Sequence, residues 1–442
     1  MMNFLSLQNA ALKRGITEIE IYSSKSTGIE ISGFNAEIES NITSNTDVLA
    51  IRGVYNNQIV TVYEENDSDE MIDSILDRII DNASIKNNND PYFIYKGDKS
   101  YPNIVEKDHD YSHYDLDFKT NLCKRLNEIC RSKSPYVVNV ETSYSEEQSI
   151  IEIVNSNGLN VKRNSLEAYI TCYVMAQKEN ETKVGHDYQI FNNIKDINLN
   201  SIAEKAVKQA VGGFGAQSIP SGKYRVVIDK KVVSNLLSAF SSVFSAESIL
   251  KNLSFLKDKI GEKVFGENIS LIDDPLSDKA LTQYAFDDEG VSAKTKYLVE
   301  NGVLKTYLHN LKTASMMNTS STGNGFKSSV SSSVGIQPCN LYLKPGNISF
   351  EEMLKKVNDG VYITNVTGLH AGLNPISGEF NLQSSGYMIE NGEITRPVTL
   401  IILSGKLDEM LNKVTYIAND FEFKSNVGTS SIAVESLAIS GK

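Results

Sequence analysis

At 442 residues the chain exceeds what one hydrophobic core of ordinary size supports, so we expect two domains of roughly 200 residues each. Its 55 acidic and 43 basic side chains give a net charge of −12 without a basic tract, which argues against direct binding to nucleic acid. Four cysteines without a CxxC spacing, and no long apolar run, favour a reducing cytoplasm and no membrane anchor.

The N-terminal segment predicts a helix, an antiparallel sheet and a second helix. The first helix spans about Phe4 to Arg14. Alternating apolar and polar residues then recur between turn residues, which is typical of half-buried antiparallel strands. The predicted strands are 19–23, 28–32, 36–40, 48–52 and 59–63. An acidic helix start at Asp67 precedes an apolar stripe that runs to about Ala83, which predicts the second helix.

A third helix, at about Leu116 to Arg131, leads into a second group of strands. It carries Cys123 and Cys130 seven residues apart on one face, where we expect buried thiols instead of a redox or metal pair. A turn at Ser156 to Gly158 joins the first two strands of the group. The predicted segments are strands 149–155, 159–163, 167–175 and 183–191 and a closing helix at 202–211.

The glycine-rich run from Gly212 to Gly222 contains a proline and is the predicted domain boundary. We therefore expect an N-terminal α+β domain over residues 1–215 and a β-rich C-terminal domain over residues 216–442. Gly212-Gly-Phe-Gly215 lacks the strand-to-helix context of a dinucleotide site.

The second half continues with strands, helices and two hairpins. Asn301-Gly302 and Asn391-Gly392 each predict a two-residue turn, because Asn-Gly supplies the positive φ angles that a type I′ turn requires. Ser349-Phe-Glu-Glu352 is a capping box that begins a helix. The other predicted segments are strand 224–229, helix 232–246, strands 360–366 and 397–403, and a last helix at 407–417.

These segments predict an α+β fold. Runs of strands precede helices instead of alternating strictly with them. We expect two domains built on twisted, largely antiparallel sheets with flanking helices.

Several motifs occur in an order that resembles a known family. They are Gly368-Leu-His-Ala-Gly-Leu-Asn-Pro-Ile-Ser-Gly378 and its continuation to Pro397, Phe255-Leu-Lys-Asp-Lys-Ile-Gly-Glu-Lys-Val264, and Asp273-Asp-Pro275. Together they resemble the TldD/PmbA family, and specifically its PmbA (TldE) branch. The resemblance runs nearly end to end, from Glu18 to Glu422.

The resemblance also implies where a zinc site would be. Members of the TldD branch carry His-Glu-x-x-x-His on a helix, where two histidines hold a metal and the glutamate takes a proton from bound water. In this chain Ser238 stands where the first histidine would be, Ala239 where the glutamate would be, and Val243 where the second histidine would be. A later cysteine is also missing. We therefore expect no metal and no catalytic residue in this chain.

The resemblance implies a subunit of a TldD–TldE-type metallopeptidase that acts in the proteolysis of unfolded peptides. Zinc is expected only in a TldD-like, metal-bearing partner, although a homodimer is also open. Family members are described as modulators of DNA gyrase, and the acidic charge fits an indirect link better than direct contact with nucleic acid. An exposed sheet edge could hold an extended peptide through main-chain hydrogen bonds.

Two loops are expected to contact substrate or partner. The first is the segment Gly368 to Ser385, which the resemblance places beside the peptidase cavity. The second is the polar segment Gly323 to Val334. The residues expected to contribute from the first are Gly368, His370, Gly372, Asn374, Gly378, Ser384 and Ser385.

Two alternatives stay open. A stand-alone peptidase could use an unrecognised metal site, for example His370 or His309 with nearby carboxylates. His109 and His113 have a metal-like spacing, but they lie in a polar segment that is typical of a solvated loop. Asp273-Asp274-Pro275 is more typical of a turn than of a cation site. The second alternative is a non-catalytic homodimer that binds peptides or regulates another protein.

Overall fold

The structure is a computed structural model that describes residues 2–65, 67–86, 94–104 and 109–442. The chain forms two compact units. The first comprises Met1–Val211, Tyr284–Ala293 and Asn310–Gly335, and the second comprises Gly212–Gln283, Lys294–His309 and Ile336–Lys442. The main division falls at the glycine-rich run, and two later segments return to the first unit.

The α-helices in the described ranges are α1 (Phe4–Lys13), α2 (Ile72–Ile85), α3 (Leu116–Lys133), α4 (Leu199–Gly212), α5 (Lys230–Phe240), α6 (Ala246–Leu250), α7 (Leu311–Met316), α8 (Phe350–Val357) and α9 (Leu407–Asn412). Short 3₁₀ helices span Asp69–Met71, Tyr111–His113, Ile194–Asp196 and Ser241–Phe244.

The strands of the first half are β1 (Glu18–Phe34), β2 (Glu37–Tyr55), β3 (Gln58–Glu64), β4 (Val137–Asn155), β5 (Asn160–Lys178), β6 (Glu181–Ile190), β7 (Gly222–Ile228), β8 (Leu271–Asp273), β9 (Lys296–Glu300) and β10 (Val303–Leu304). Those that follow are β11 (Gly325–Phe326), β12 (Gly335–Ile336), β13 (Leu341–Leu343), β14 (Gly360–Thr367), β15 (Leu373–Asn374), β16 (Glu379–Glu390), β17 (Glu393–Lys406), β18 (Val414–Ile417), β19 (Glu422–Phe423), β20 (Val427–Thr429) and β21 (Ile432–Ser440).

The first unit is built on an antiparallel sheet in the order β3-β2-β1-β4-β5-β6. The sequence predicted four short strands where the structure has the two long strands β1 and β2, so that prediction was wrong about their length. The polar stretch Ser24–Thr27 stays extended because it pairs with Asn45–Val48 on one side and with Gln148–Ile151 on the other. Pairing on both edges outweighs the low strand preference of these residues.

Helices cover one face of this sheet. α1 and α2 pack on it around a core that includes Leu7, Ile51, Ile75 and Leu76, all fully buried. α4 approaches β6 so closely that a Cβ at Gly185 would lie 2.0 Å from the carbonyl oxygen of Ala206. The fold therefore requires glycine there.

The main sheet of the second unit closes on itself. β14 pairs with β7, β7 with β21, β21 with β17, β17 with β16, and β16 returns to β14. β15 pairs with β16, and β18 with β21. The β14–β7 pair is parallel, whereas the other pairs of the ring are antiparallel. Closure removes the free edges that the five ring strands would otherwise present.

A smaller sheet of the second unit has the order β10-β9-β8-β13-β20-β19. Both predicted Asn-Gly turns are confirmed, since φ is 49° at Asn301 and 82° at Gly302, and 55° at Asn391 and 78° at Gly392. The start of α8 is also confirmed, because the Ser349 side chain accepts a hydrogen bond from the backbone N–H of Glu352 at 3.1 Å.

Two predicted helices of the second unit were too long. The helix predicted at 232–246 ends at Phe240, because the backbone beyond it pairs with another segment. Leu308 donates to the carbonyl of Phe244 at 2.8 Å and accepts from the N–H of Ala246 at 2.9 Å. The helix predicted at 407–417 ends at Asn412, and the strand-favouring residues Val414–Ile417 pair with β21 instead.

The α+β prediction is confirmed, with sheets that are largely antiparallel and helices beside them. Across the described ranges, every helix is too short or too polar to cross a bilayer.

The close approach of β14 and β16 in the ring predicts that Gly386 is needed for stability. A Cβ at this position would lie 1.8 Å from the carbonyl oxygen of Tyr362 on the neighbouring strand β14. We expect Gly386→Ala to lower the free energy of unfolding by about 3 kcal/mol, because backbone must move to admit the methyl group. Urea unfolding followed by circular dichroism measures the change.

The matched control is Gly222→Ala on β7, where the nearest atom to an added Cβ is a ring carbon of Tyr224 at 3.4 Å. A Gly386→Ala protein as stable as this control would contradict the described approach of β14 and β16.

Candidate functional site

The three positions that the family resemblance matches to the two zinc-binding histidines and the glutamate lie on and just beyond α5. Ser238 is exposed and Ala239 is half-buried near the end of α5, and Val243 is fully buried in the 3₁₀ turn that follows. Zinc in proteins is held by thiolate, imidazole or carboxylate donors. A serine hydroxyl, a methyl group and an isopropyl group do not supply such a set, so the residues present do not fit a zinc ion.

The backbone at these positions also departs from one continuous helix. α5 ends at Phe240, so Ser238 belongs to an α-helix and Val243 to a tighter turn. Within the residues that the structure describes, no group of three or more His, Cys, Asp or Glu side chains is arranged to hold a metal ion.

The beginning of α5 is fixed against the ring. Asp229 is the N-cap, and its Oδ1 accepts the backbone N–H of Lys231 at 2.8 Å. The hydroxyl of Tyr362 on β14 donates to Oδ2 of the same carboxylate. Burial, followed by the charge of Asp229, raises the pKa of Tyr362, so this phenol stays protonated and keeps donating.

The structure connects Val243 with one end of the loop Gly368 to Gly378, which we call the glycine-rich loop. The Ser254 hydroxyl donates to the carbonyl of Val243 at 2.6 Å. The next residue, Phe255, places its ring 3.3 Å from where a Cβ at Gly378 would be. Gly378 has φ +74°, so it is the residue type that this turn requires. Val243 and Gly378, predicted separately from the sequence, are thus brought to the same region by Ser254 and Phe255.

The rest of this loop is a compact turn held by its own backbone. Gly368 accepts from the N–H of Gly372 at 2.7 Å, and Asn374 accepts from the N–H of Gly378 at 2.8 Å through its main-chain oxygen. The Asn374 side chain accepts the N–H of Ile376 at 3.0 Å. His370 is exposed on this turn. Among these residues it is therefore the one with a titratable side chain available at the surface.

Ser384 and Ser385 lie on β16, inside the ring sheet and beyond the loop. Ser384 is buried and its hydroxyl donates to the carbonyl of Leu382 at 2.9 Å. Ser385 is half-buried and lies beside an irregularity in the pairing of β16 with β17. The sequence grouped these serines with the loop, whereas the structure places them in a paired strand.

The second predicted loop, Gly323 to Val334, belongs to the first unit. Its serines bond to one another, with Ser328 Oγ donating to Ser332 Oγ at 2.8 Å. Tyr63 on β3 donates to the carbonyl of Ser331 at 3.0 Å. These contacts describe an ordered loop beside the sheet.

The other histidines take different positions. His309 is buried, and burial lowers its pKa, so it is neutral near pH 7. His186 stacks on Tyr173 at 4.3 Å between ring centroids. His113 is exposed in a 3₁₀ turn, and the ring of His109 lies 5.4 Å from that of Tyr111.

Asp273-Asp274 forms part of a turn and strand network. Asp273 accepts the backbone N–H of Cys339 at 2.8 Å and pairs with Lys296 at 3.0 Å. Asp274 accepts the Thr295 hydroxyl at 2.6 Å. Asp274 also accepts the backbone N–H of Leu276 at 3.2 Å through its side chain and that of Ser277 at 3.2 Å through its carbonyl, so the predicted turn begins at Asp274, after the end of β8.

The sequence analysis missed a cluster of buried acids, Asp287-Asp288-Glu289, which we call the acid clamp. All three side chains are at least 94% buried, with exposed fractions of 0%, 4% and 6%. Three consecutive acids between Phe286 and Val291 were the available signal. An apolar setting on both sides suggests that such acids face inward with partners.

Each acid of the clamp holds one backbone N–H of the returning segment Asn310–Gly335. Asp287 Oδ2 accepts from Gly325 at 2.8 Å and Asp288 Oδ2 accepts from Lys327 at 2.8 Å. Glu289 Oε2 accepts from Leu311 at 2.7 Å. The clamp therefore fastens this segment at three points.

The sheet of the first unit supplies the compensating donors. Asp288 Oδ1 accepts from Arg163 on β5 at 2.6 Å and from the Tyr22 hydroxyl on β1 at 2.9 Å. The ammonium group of Lys327 lies 4.4 Å from the centre of the Tyr22 ring. Burial, followed by the charge of Arg52, lowers the pKa of Lys327 to about 8.

Protonation within the clamp is shifted by burial. Desolvation raises the pKa of Glu289 to about 7, against the lowering effects of its bond to Leu311 and of Arg52. Burial and the neighbouring Glu289 raise the pKa of Asp287, while three backbone donors oppose the shift. The two carboxyl groups thus resist carrying two negative charges together.

Comparison with known proteins gives concordant family matches. The PmbA/TldA metallopeptidase C-terminal domain matches residues 221–441, and the PmbA/TldA metallopeptidase central domain matches residues 109–213. A metalloprotease of Methanocaldococcus jannaschii is 36% identical over 234 residues, which cover 52% of this chain and 51% of that protein. The chain thus matches about half the length of that relative.

Solved structures match over nearly the whole chain. A Thermotoga maritima protein named for a proposed modulation of DNA gyrase is 32% identical, with a TM-score of 0.91 and 98% of each chain covered. TldE from Thermococcus kodakarensis is 22% identical, with a TM-score of 0.88 and coverage of 99% of this chain and 100% of that chain. The latter similarity shows a shared fold.

The acid clamp predicts a pH-dependent stability that Glu289→Gln removes. The folded-state pKa of Glu289 is raised above its unfolded value of 4.5, so the folded protein favours the protonated carboxyl group. The stabilisation that this protonation gives is complete below pH 4.5 and is lost as the pH rises through 7. We expect the free energy of unfolding to fall by on the order of 3 kcal/mol more in the wild type than in Glu289→Gln between pH 5 and 8. Urea unfolding at several pH values measures this difference.

Glu267→Gln serves as the control, because Glu267 is an exposed acid of the other unit. Equal pH slopes for the wild type and Glu289→Gln would show that Glu289 is not protonated differently in the folded state.

Proposed function

Because the chain belongs to the PmbA/TldD family, whose members are related to metallopeptidases, we propose that it is the non-catalytic subunit of a two-subunit peptidase. A TldD-like partner supplies the zinc ion and the proton-transfer groups. This chain supplies part of the enclosure in which an unfolded peptide is held. The pair acts in proteolysis, and the peptide is its substrate.

The observation that carries the proposal is the chemistry of α5 and the turn after it. By the family resemblance, Ser238, Ala239 and Val243 correspond to the two metal-binding histidines and the general base, and they supply neither imidazole nor carboxylate. Val243 is fully buried, so its position has been filled by core packing. A chain with this segment contributes structure to a peptidase, and the chemistry comes from elsewhere.

The glycine-rich loop is the part of this chain that we assign to substrate or partner contact. Gly368, Gly372 and Gly378 shape a turn that presents the exposed side chain of His370. Asn374 stabilises the turn from within, through its main-chain oxygen and its side chain. An imidazole offers both a donor and an acceptor, which suits contact with the main chain of a peptide irrespective of its sequence.

Peptide capture by strand addition requires an outer strand. The five strands of the ring pair with one another in closed order, so they offer no free edge to a peptide. Among the described residues, the outer strands include β3 and β6 in the first unit, β10 and β19 in the smaller sheet, and β15 and β18 beside the ring. On β6 the N–H of His186 already donates to the Gln209 side chain at 2.9 Å. On β3 the carbonyls of Ile59 and Tyr63 already accept from the side chains of Lys86 and Arg78, so we favour the remaining outer strands.

The direct test combines this chain with a TldD-like protein from the same genome. We expect the mixture to cleave a disordered fluorogenic peptide at least about tenfold faster than the TldD-like protein alone, because a completed enclosure positions the peptide at the metal. Replacing both zinc-binding histidines of that partner should abolish cleavage in the mixture. A rate that this chain leaves unchanged would refute the subunit proposal.

A second test addresses the loop. We expect His370→Ala to reduce the stimulation by roughly threefold to tenfold, in keeping with the loss of one hydrogen bond to a bound group. Its thermal midpoint should stay at the wild-type value, because the side chain is exposed. His113→Ala removes another exposed histidine, far along the chain, and should leave the stimulation intact. If His370→Ala stimulates cleavage as strongly as His113→Ala does, His370 does not contact the substrate or the partner.

A further inference from the structure

Two buried thiols of the first unit are in direct contact. The Sγ atoms of Cys130 on α3 and Cys172 on β5 lie 3.7 Å apart, and both residues are 0% exposed. The sequence pattern places Cys130 and Cys123 on the same face of α3. The structure instead associates Cys130 with a cysteine of the sheet, 42 residues later in the chain.

We propose that Cys130 and Cys172 are a modification site at which a peroxide forms a reversible disulfide that fastens α3 to β5. The sulfur atoms need to approach by about 1.7 Å to reach disulfide bonding distance. The two sulfur atoms are already in contact.

The environment distinguishes the two sulfur atoms. A hydrogen bond between the thiols lowers the pKa of Cys130, and the same bond together with burial raises the pKa of Cys172. Lys133 in the last turn of α3 adds a positive charge that favours the Cys130 thiolate. Cys130 is therefore the attacking sulfur, since the thiolate is the nucleophile in thiol chemistry.

The reaction balances with one peroxide. The Cys130 thiolate attacks one oxygen of hydrogen peroxide, the O–O bond breaks, and a sulfenic acid and hydroxide are formed. Cys172, whose proton passes to the departing hydroxyl group, then attacks the Cys130 sulfur and releases water. Overall, two thiols and one hydrogen peroxide give one disulfide and two waters, with sulfur oxidised and peroxide reduced.

Burial determines when the reaction occurs. Because neither sulfur is exposed, oxidant reaches the pair through local opening of α3 from the sheet. The disulfide then closes that opening. An oxidising environment therefore links α3 to β5 through the disulfide, and a thiol reductant separates them again.

The test uses the full-length chain and hydrogen peroxide. We expect a peptide map under non-reducing conditions to contain a Cys130–Cys172 crosslink, and the count of free thiols in denaturant to fall from four to two. The thermal midpoint of the oxidised protein should rise by roughly 5–10 °C, since a long loop becomes closed in the unfolded chain. Dithiothreitol should reverse all three changes.

Two alanine variants make the result specific. Cys172→Ala should give no crosslink, and a dimedone adduct should form at Cys130 instead. Cys123→Ala removes a buried thiol of the same helix and should leave the crosslink unchanged. Four free thiols after prolonged exposure, oxidation beyond the sulfenic acid without a crosslink, or a crosslink through Cys123 or Cys339 would each overturn the proposal. The experiment does not involve peptide cleavage, so its outcome is independent of the proposed peptidase role.

Discussion

Buried carboxylates must find hydrogen-bond donors, and in the first unit that requirement ties distant parts of the chain together. Asp287, Asp288 and Glu289 return from the second half of the sequence and accept bonds from the sheet and from the segment 310–335. Removing the Asp288 carboxylate would leave the guanidinium charge of Arg163 buried without the acid that it pairs with. The two returning segments, and the loop Gly323 to Val334 within the second of them, therefore depend on this one set of charge-assisted bonds.

The second unit meets its backbone requirements differently. Its main strands close into a ring, so few main-chain groups are left at an open edge, and close approaches at glycine are the cost of closure. α5 is capped by Asp229 and ends at Phe240. Beyond its end, the main chain of Leu308 forms hydrogen bonds with the main chains of Phe244 and Ala246. The segment that the resemblance matches to a zinc motif is thus held by hydrogen bonds at both of its ends. Val243 in this segment is buried in the core, whereas the Ser238 side chain is exposed.

Much of the fold follows from local signals in the sequence. The α+β class, both Asn-Gly turns and the start of α8 depend on turn chemistry and capping that operate within a few residues. The lengths of β1 and β2 and the early ends of α5 and α9 depend on partners far along the chain, which periodicity does not reveal. The same limit applies to the site. The resemblance proposes a role for Ser238, Ala239 and Val243 from sequence alone, whereas the acid clamp and the Cys130–Cys172 contact arise only when distant segments meet.

The most direct test of the central claim is the zinc content of this chain after purification alone and dialysis, measured by inductively coupled plasma mass spectrometry. The account predicts far less than one zinc per chain, and no peptide cleavage that responds to a chelator. One tightly held zinc per chain, with hydrolysis lost on chelation and restored by zinc, would contradict it.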